Sequence, residues 1–225
     1  MTTFLTRSVW LVLAVGASAC SFINGSGFEE CSTDQQCGSS RVCVQKYCLP
    51  MPAQCRREVG AFDDPRPIRL AALLPLSAGF DGGAIDGSEI AGLNAVALAI
   101  LDVNGRGGLD NRRFSLVVCN TGRSDQVLAE QLRFVVDQLE VPAVITSGSQ
   151  QAAVAADNAA RTAAGTMIIS ATATSPELTG GFVRTGALWR VAPPDTFQVR
   201  VITRLLTTEP SLSSVTDIAI ANENT

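Results

Sequence analysis

Two stretches of this 225-residue chain concentrate side chains suited to holding a small polar molecule: Ser147-Gly148-Ser149-Gln150, and Thr172-Ala173-Thr174-Ser175-Pro176-Glu177. The first opens an alanine-rich stretch, so its backbone N–H groups stand free at a helix start. There the positive end of the dipole suits a carboxylate or similar anion. The competing reading is that Ser147 or Ser149 serves as a plain N-cap, common at such positions. In the second stretch Ser175 before Pro176 reads as a cap and a first helical position, which leaves Thr172 and Thr174 to face a cleft. Binding, not bond breaking, is the chemistry these residue types support. The chain has no histidine, which removes the Ser-His-Asp and Cys-His nucleophile arrangements and every His-containing zinc site. No G-x-x-x-x-G-K-[ST] run occurs, and Gly105-Arg106-Gly107-Gly108 lacks the G-x-G-x-x-G spacing that wraps a pyrophosphate. No catalytic residue, metal or cofactor is therefore expected. With 17 Lys plus Arg against 21 Asp plus Glu, the acidic balance argues against a nucleic-acid partner.

The seven cysteines carry the other chemistry. Arg7, the apolar stretch from Val9 to Val15 and the small residues Gly16-Ala17-Ser18-Ala19 read as a signal peptide over residues 1–20. Its apolar part is far short of the ~20 residues a membrane-spanning helix needs. Ala17-Ser18-Ala19-Cys20 resembles the lipobox of bacterial lipoproteins, in which the cysteine after the cut is acylated, although Ala17 stands where Leu is usual. Cys20 is thus the expected lipidation site; simple cleavage, with Cys20 left as an ordinary thiol, is the alternative. Residues 21–30 look like a flexible tether. Residues 31–67 form a Cys-rich segment and linker, with Cys31, Cys37, Cys43, Cys48 and Cys55 closely spaced. Behind a signal peptide such density points to disulfides; a zinc site would more usually show C-x-x-C pairs or histidines. The four from Cys31 to Cys48 can close on themselves, leaving Cys55 to pair with Cys119 and tie this stalk to the main domain.

From Ile68 onward short apolar runs alternate with amphipathic stretches. Strands are expected at Ile68–Leu74, Phe114–Val118, Val141–Ile145 and Thr166–Ile169. The helices between them carry apolar stripes at Ile90, Leu93, Ala97 and Leu101, then at Leu128, Leu132, Val135 and Leu139, and a third runs from Gln150 to Ala164. The order β-α-β-α-β-α-β implies an α/β fold with a Rossmann-like parallel sheet, behind a small disulfide-rich segment. In such a sheet ligands bind beyond the carboxyl ends of the strands, at the loops Pro75–Gly87, Cys119–Arg123, Thr146–Gln151 and Ser170–Thr179. Asp195–Leu206 reads as a further helix and Val215–Ala221 as a further strand.

Four segments carry a family resemblance. Ile68-Arg69-Leu70-Ala71-Ala72-Leu73-Leu74-Pro75-Leu76-Ser77 looks like the opening strand and loop of the Leu/Ile/Val-binding family, which are type I periplasmic solute-binding proteins. Asn104-Gly105-Arg106-Gly107-Gly108-Leu109-Asp110-Asn111-Arg112 is similar to its N-x-x-G-G-[IL]-x-G-R turn, with Asn111 in place of a glycine; Asn also tolerates the left-handed conformation. Ser170-Ala171-Thr172-Ala173-Thr174-Ser175-Pro176-Glu177-Leu178-Thr179 and Leu188-Trp189-Arg190-Val191-Ala192-Pro193 match as well. The resemblance implies a first ligand-binding lobe over residues 68–192, with residues 193–225 the start of a truncated second lobe and a cleft with one wall. It implies a binding protein that delivers an amino acid or amide to an ABC permease complex, on the periplasmic side of a bacterial cell envelope and held to the membrane by its lipid anchor. By the same resemblance Ser149, Gln150, Thr172 and Thr174 meet the ligand. Gln150 stands where the family has Ser, and Cys119-Asn120-Thr121 where acidic residues are common; both weaken the case for a plain aliphatic ligand. The same fold also resembles lipoprotein regulators of cell-wall enzymes, which would make the protein a non-transport partner binder.

Overall fold

In the computed structural model the described residues are 29–77, 84–160, 165–181, 186–212, 214–217 and 219. The signal peptide with Cys20, most of the tether and positions 161–164 of the alanine-rich stretch lie outside them.

The Cys-rich segment forms a hairpin of β1 (Arg41–Val44) and β2 (Tyr47–Pro50). Its two-residue turn puts Gln45 at φ 49 and Lys46 at φ 72, the left-handed pair that matches the twist of a tight hairpin. Disulfides join Cys31 to Cys43 and Cys37 to Cys48, and the four sulfurs make a small core of their own. The chain then enters β3 (Cys55–Gly60), which pairs antiparallel with the main sheet and is bonded to it by Cys55–Cys119. This strand was not legible in the sequence: Cys-Arg-Arg-Glu-Val-Gly has three charges in six residues. It is tolerated because β3 is an edge strand, where charges face water and discourage further pairing.

The remaining strands are β4 (Ile68–Leu74), β5 (Phe114–Asn120), β6 (Ala143–Thr146), β7 (Met167–Ser170) and β8 (Leu188–Arg190). The sheet order is β3-β5-β4-β6-β7-β8, parallel throughout except for β3. Helices α1 (Gly87–Gly105), α2 (Asp125–Arg133), α3 (Ser149–Ala160) and α4 (Glu177–Gly181) lie in the crossovers, and α5 (Asp195–Thr208) follows β8. On one face Leu116, Val118, Ala72 and Leu74 pack against Leu93 and Ile100 of α1. On the other, Ala71, Leu73, Val117 and Val144 pack against Leu128 and Leu132 of α2 and Ala152, Ala155 and Ala156 of α3. Each fully buried leucine here contributes roughly 2 kcal/mol of apolar burial. Val42 and Met51 of the Cys-rich segment belong to this second core, so the segment is packed on the sheet and does not stand off it as a stalk.

The stripe of α1 differs from the sequence expectation, whereas Leu128, Leu132, Val135 and Leu139 are all buried as expected. In α1, Leu93 is buried as expected but Leu101 is 53% exposed and Ile100 takes its place, because the helix is apolar on every side and its periodicity misleads. After α2 the chain widens into a π turn over Phe134–Gln138, which lets Phe134, Val135 and Val136 all turn inward in succession. The Asn104–Arg112 turn forms as expected: Asp110 and Asn111 both have left-handed φ, 51 and 60. The Asn104 side chain bonds both the N–H and the carbonyl of Phe114, fixing where β5 begins. At the far end, described positions 215–217 and 219 of the expected strand Val215–Ala221 pair with nothing in the sheet.

Candidate functional site

The order β5-β4-β6-β7 places the reversal point of the sheet between β4 and β6. From β4 the chain crosses by α1 to β5 on one side, then returns by α2 to β6 on the other. The loops there separate and leave a crevice. A cleft of about 520 Å³ occupies it, with Pro75 after β4, Arg123 after β5, Ser147 and Gly148 after β6 and Thr172 after β7 on its walls.

Each wall is held by its own hydrogen bonds. Asp86 caps α1: its carboxylate accepts from the N–H groups of Ser88 (3.1 Å) and Glu89 (3.3 Å), from the Ser88 hydroxyl (2.6 Å) and from the Arg123 guanidinium (3.0 Å). The Ser88 hydroxyl, followed by the Glu89 N–H and Arg123, holds its pKa down at about 2. Glu89, one turn further along the same helix, is half-buried. Burial pushes its carboxyl up, opposed by a hydrogen bond from the Ser147 hydroxyl. Gln151 and Thr121 exchange hydrogen bonds at 2.9 and 3.3 Å, joining the start of α3 to the loop after β5. The Asn120 amide donates to the Ser77 hydroxyl at 2.8 Å.

Of the residues expected from sequence, Gln150 and Thr172 line this cleft. The Gln150 amide donates to Asp125 at 2.7 Å, bridging the first turns of α3 and α2. The Thr172 hydroxyl accepts from the Gly148 N–H at 2.8 Å, so it is partly engaged in fixing the loop before α3. Ser149 is the first residue of α3. Thr174 is half-buried outside the lining, and its carbonyl accepts from the Asp195 N–H that opens α5. Asp86, Glu89, Arg123 and Asp125 were not singled out from the sequence. Asp86-Gly87-Ser88-Glu89 does carry the spacing of a helix-start capping box, a signal that places Glu89 on the first turn but does not say that turn faces a cleft.

A second hollow of about 540 Å³ lies where the Cys-rich segment meets β3, beside Arg57, Phe62 and Asp63. Its main cation is already engaged: Arg57 donates to the carbonyls of Asp34 and Gly38 and stacks over Phe62 at 5.3 Å. The cleft at the strand ends is therefore the candidate site.

Comparison with known proteins agrees with the fold. Residues 91–209 match the family described as the receptor family ligand binding region. The chain belongs to that family. Among solved structures, this receptor-family chain is similar to the branched-chain amino acid transporter substrate-binding protein LivJ of Streptococcus pneumoniae, in complex with isoleucine: 25% identity, TM-score 0.55, covering 64% of this chain and 39% of that one. An ABC transporter substrate-binding protein from Desulfitobacterium hafniense matches at 24% identity and TM-score 0.53, over 64% of this chain and 40% of that one. The leucine-binding protein LivK of Thermotoga maritima matches at 17% identity and TM-score 0.51, over 64% and 38%; these two show the shared fold. No curated protein matches the chain. The family chain spans about two-fifths of the length of these solved proteins. The expected Leu/Ile/Val-binding resemblance and the α/β fold of a type I periplasmic binding protein are thus both found.

Proposed function

We propose that this protein is the extracytoplasmic substrate-binding component of an ABC importer, taking an amino acid or related small polar solute. The observation that carries the reading is the cleft at the β4/β6 reversal point, with the start of α3 on its wall. Unpaired N–H groups of a helix start suit a carboxylate, and the Gly148–Thr172 bond steadies the approach to them. In this reading Ser149, Gln150 and Thr172 contact the ligand carboxylate, and Thr174 joins them once a second lobe closes over the cleft. The exposed apolar residues of α5, with Phe197 at 56%, Ile202 at 55% and Leu205 at 51%, support residues 193–225 as the start of that lobe. The protein is anchored through a lipid on Cys20 behind a cleaved signal peptide; among the described residues no helix is long and apolar enough to cross a membrane.

A thermal-shift screen of the full-length protein against amino acids, amides, urea and short peptides tests the reading, because a ligand that binds the folded state must raise the melting temperature. Thr172→Val should then weaken the best ligand by about 1–2 kcal/mol, the scale of a hydrogen bond to a charged group. A screen with no shift at millimolar concentrations would refute the solute-binding reading. Incorporation of labelled palmitate that is lost in Cys20→Ser would establish the anchor.

A further inference from the structure

The loop after β7 carries Thr172 and Thr174, and the chain that leaves β8 is strapped to it. The Ser170 carbonyl accepts from the Val191 N–H at 3.0 Å, and the Thr174 carbonyl accepts from the Asp195 N–H at 2.9 Å. At the start of this strap the half-buried Arg190 donates to the Ser175 carbonyl at 2.7 Å and to the Thr179 hydroxyl of α4. Successive carbonyls of the loop, Thr174 and Ser175, are thus gripped from α5 and from β8. Among the described residues no carboxylate lies within ion-pair distance of Arg190. Its planar fork is committed to neutral acceptors of the loop, and a guanidinium reaches two such atoms at once where an ammonium does not. The strap itself is stiff, because Pro193 and Pro194 fix φ at consecutive positions, and Pro194 is the N-cap of α5. Such a crossing transmits a displacement and does not absorb it. From the cleft side the Thr172 hydroxyl accepts from the Gly148 N–H at 2.8 Å, which joins the approach to α3 to the same chain of contacts.

We infer that Arg190 is a positioning residue for the solute site. It locks the loop that carries Thr172 and Thr174 to the crossing segment, so that the loop and α5 shift as one piece. A solute that engages the two threonines then also sets where residues 193–225 lie. The inference rests on the solute-binding reading above, in which those residues begin the second lobe, and adds to it the side chain that couples the two.

Hydrogen exchange of the full-length protein, resolved to single amides, tests the lock without any solute. Arg190→Gln should speed exchange by at least about tenfold at Asp195 and Gly148, the scale of a lost hydrogen bond to a charged group, and leave the Leu116–Val118 amides as slow as in wild type. Thr179→Val, at an exposed position, removes one arm of the fork and should raise the same two amides by about threefold; it decides the matter should Arg190→Gln fold poorly. Unchanged rates at both amides in both variants would overturn the lock. So would a rise spread equally over Leu116–Val118, since Arg190 would then only hold the fold. The coupling is read by calorimetry with the twenty standard amino acids, each at millimolar concentration. Whichever binds wild type should bind Arg190→Gln about tenfold more weakly, and Arg190→Lys, which keeps the charge without the fork, should not restore it. Faster exchange with unaltered affinity, or full rescue by lysine, would overturn the coupling. A wild type that binds none of the twenty would overturn the amino-acid reading, while the exchange rates still decide the lock.

Discussion

Removing the carboxylate of Asp34 should be among the most damaging single changes available in this protein. Asp34 is 1% exposed. One of its oxygens accepts from the Cys43 N–H at 2.7 Å and from the Arg69 guanidinium at 2.7 Å; the other accepts from Arg69 at 3.3 Å. Arg69 belongs to β4, so the pair clamps the disulfide hairpin to the central strand. In Asp34→Ala, Arg69 keeps its bond to the Cys43 carbonyl but sits as a largely buried cation without a counter-charge, a loss of about 3–5 kcal/mol. The Cys43 N–H is orphaned as well, at about 1–3 kcal/mol. The two share an atom and do not simply add, and Arg69 retains 19% side-chain exposure, which lets some water in. We expect a net loss of about 3–4 kcal/mol, a large fraction of a typical ~5–15 kcal/mol stability. Urea denaturation with disulfides intact measures it, and the hairpin and sheet should melt in one transition because they share a core. Asp63→Ala is the control: its pair with Arg113 is exposed on both sides and should cost under about 1 kcal/mol. A loss below 1 kcal/mol in Asp34→Ala, or no larger than in the control, would refute the clamp.

Replacing Cys55 and Cys119 together by serine opens a link between residues 64 apart and should cost about 4 kcal/mol by chain entropy, read by the same urea titration; a change below 1 kcal/mol would contradict it. Gly108→Ala should destabilise by at least about 2 kcal/mol, since Gly108 has φ +77 and a Cβ there would lie 2.1 Å from the Arg112 carbonyl oxygen. Gly92→Ala should instead stabilise by about 0.5–1 kcal/mol, because it sits within α1 with open space where the Cβ would go; calorimetric melting distinguishes the two. Asp86, held at about 2 against an ordinary 3.8, stabilises the fold above about pH 4 and loses that contribution as pH falls toward 2. Melting curves of wild type and Asp86→Asn should therefore differ near neutrality and converge in acid. Glu89 has the opposite sign: its raised carboxyl makes the charged form a burden to the unliganded fold, relieved as pH falls through the raised pKa. Glu89→Gln should accordingly melt above wild type at pH 7 and match it at pH 3; a lower melting temperature at pH 7 would contradict the assignment.

The parallel strands β4 to β7 were readable because they are written as short, mostly apolar runs, Arg69 and Ser115 apart, as strands covered by helices on both faces of a sheet are. Leu128, Leu132, Val135 and Leu139 were readable for the related reason that one side of α2 and of the π turn continuing it meets the core and the other meets water. Legibility failed where burial is one-sided by position and not by composition. Cys55–Gly60 joins the sheet through its backbone, with Arg57 turned to the hairpin and Arg56 paired to Glu58, and nothing in its pattern alternates. Leu188–Arg190 is too short to show a period. The hydroxyl and amide side of the cleft was visible in Gln150 and Thr172 because polar residues after a strand and before a helix have few other roles. The acidic side was not. Asp86, Glu89 and Asp125 occupy first turns of helices, where acidic residues are ordinary, and it takes the β4/β6 reversal to aim α1 and α2 at one crevice.

That reversal also gives the disulfide hairpin a bearing on the cleft that a flexible stalk would lack. Cys119 is the penultimate residue of β5, and the two residues after it join the loops that border the cleft. Asn120 holds Ser77 on the loop after β4, and Thr121 holds Gln151 on the first turn of α3. Gln131 of α2 donates to the Asn120 carbonyl from the opposite side. The end of β5 is thus the point where three walls meet, and it is the same end to which Cys55 is bonded and against which β3 is laid. A strand end normally frays because it lacks neighbours beyond its last hydrogen bond. Here an added edge strand and a covalent link supply them, so the loops that shape the cleft begin from a fixed position.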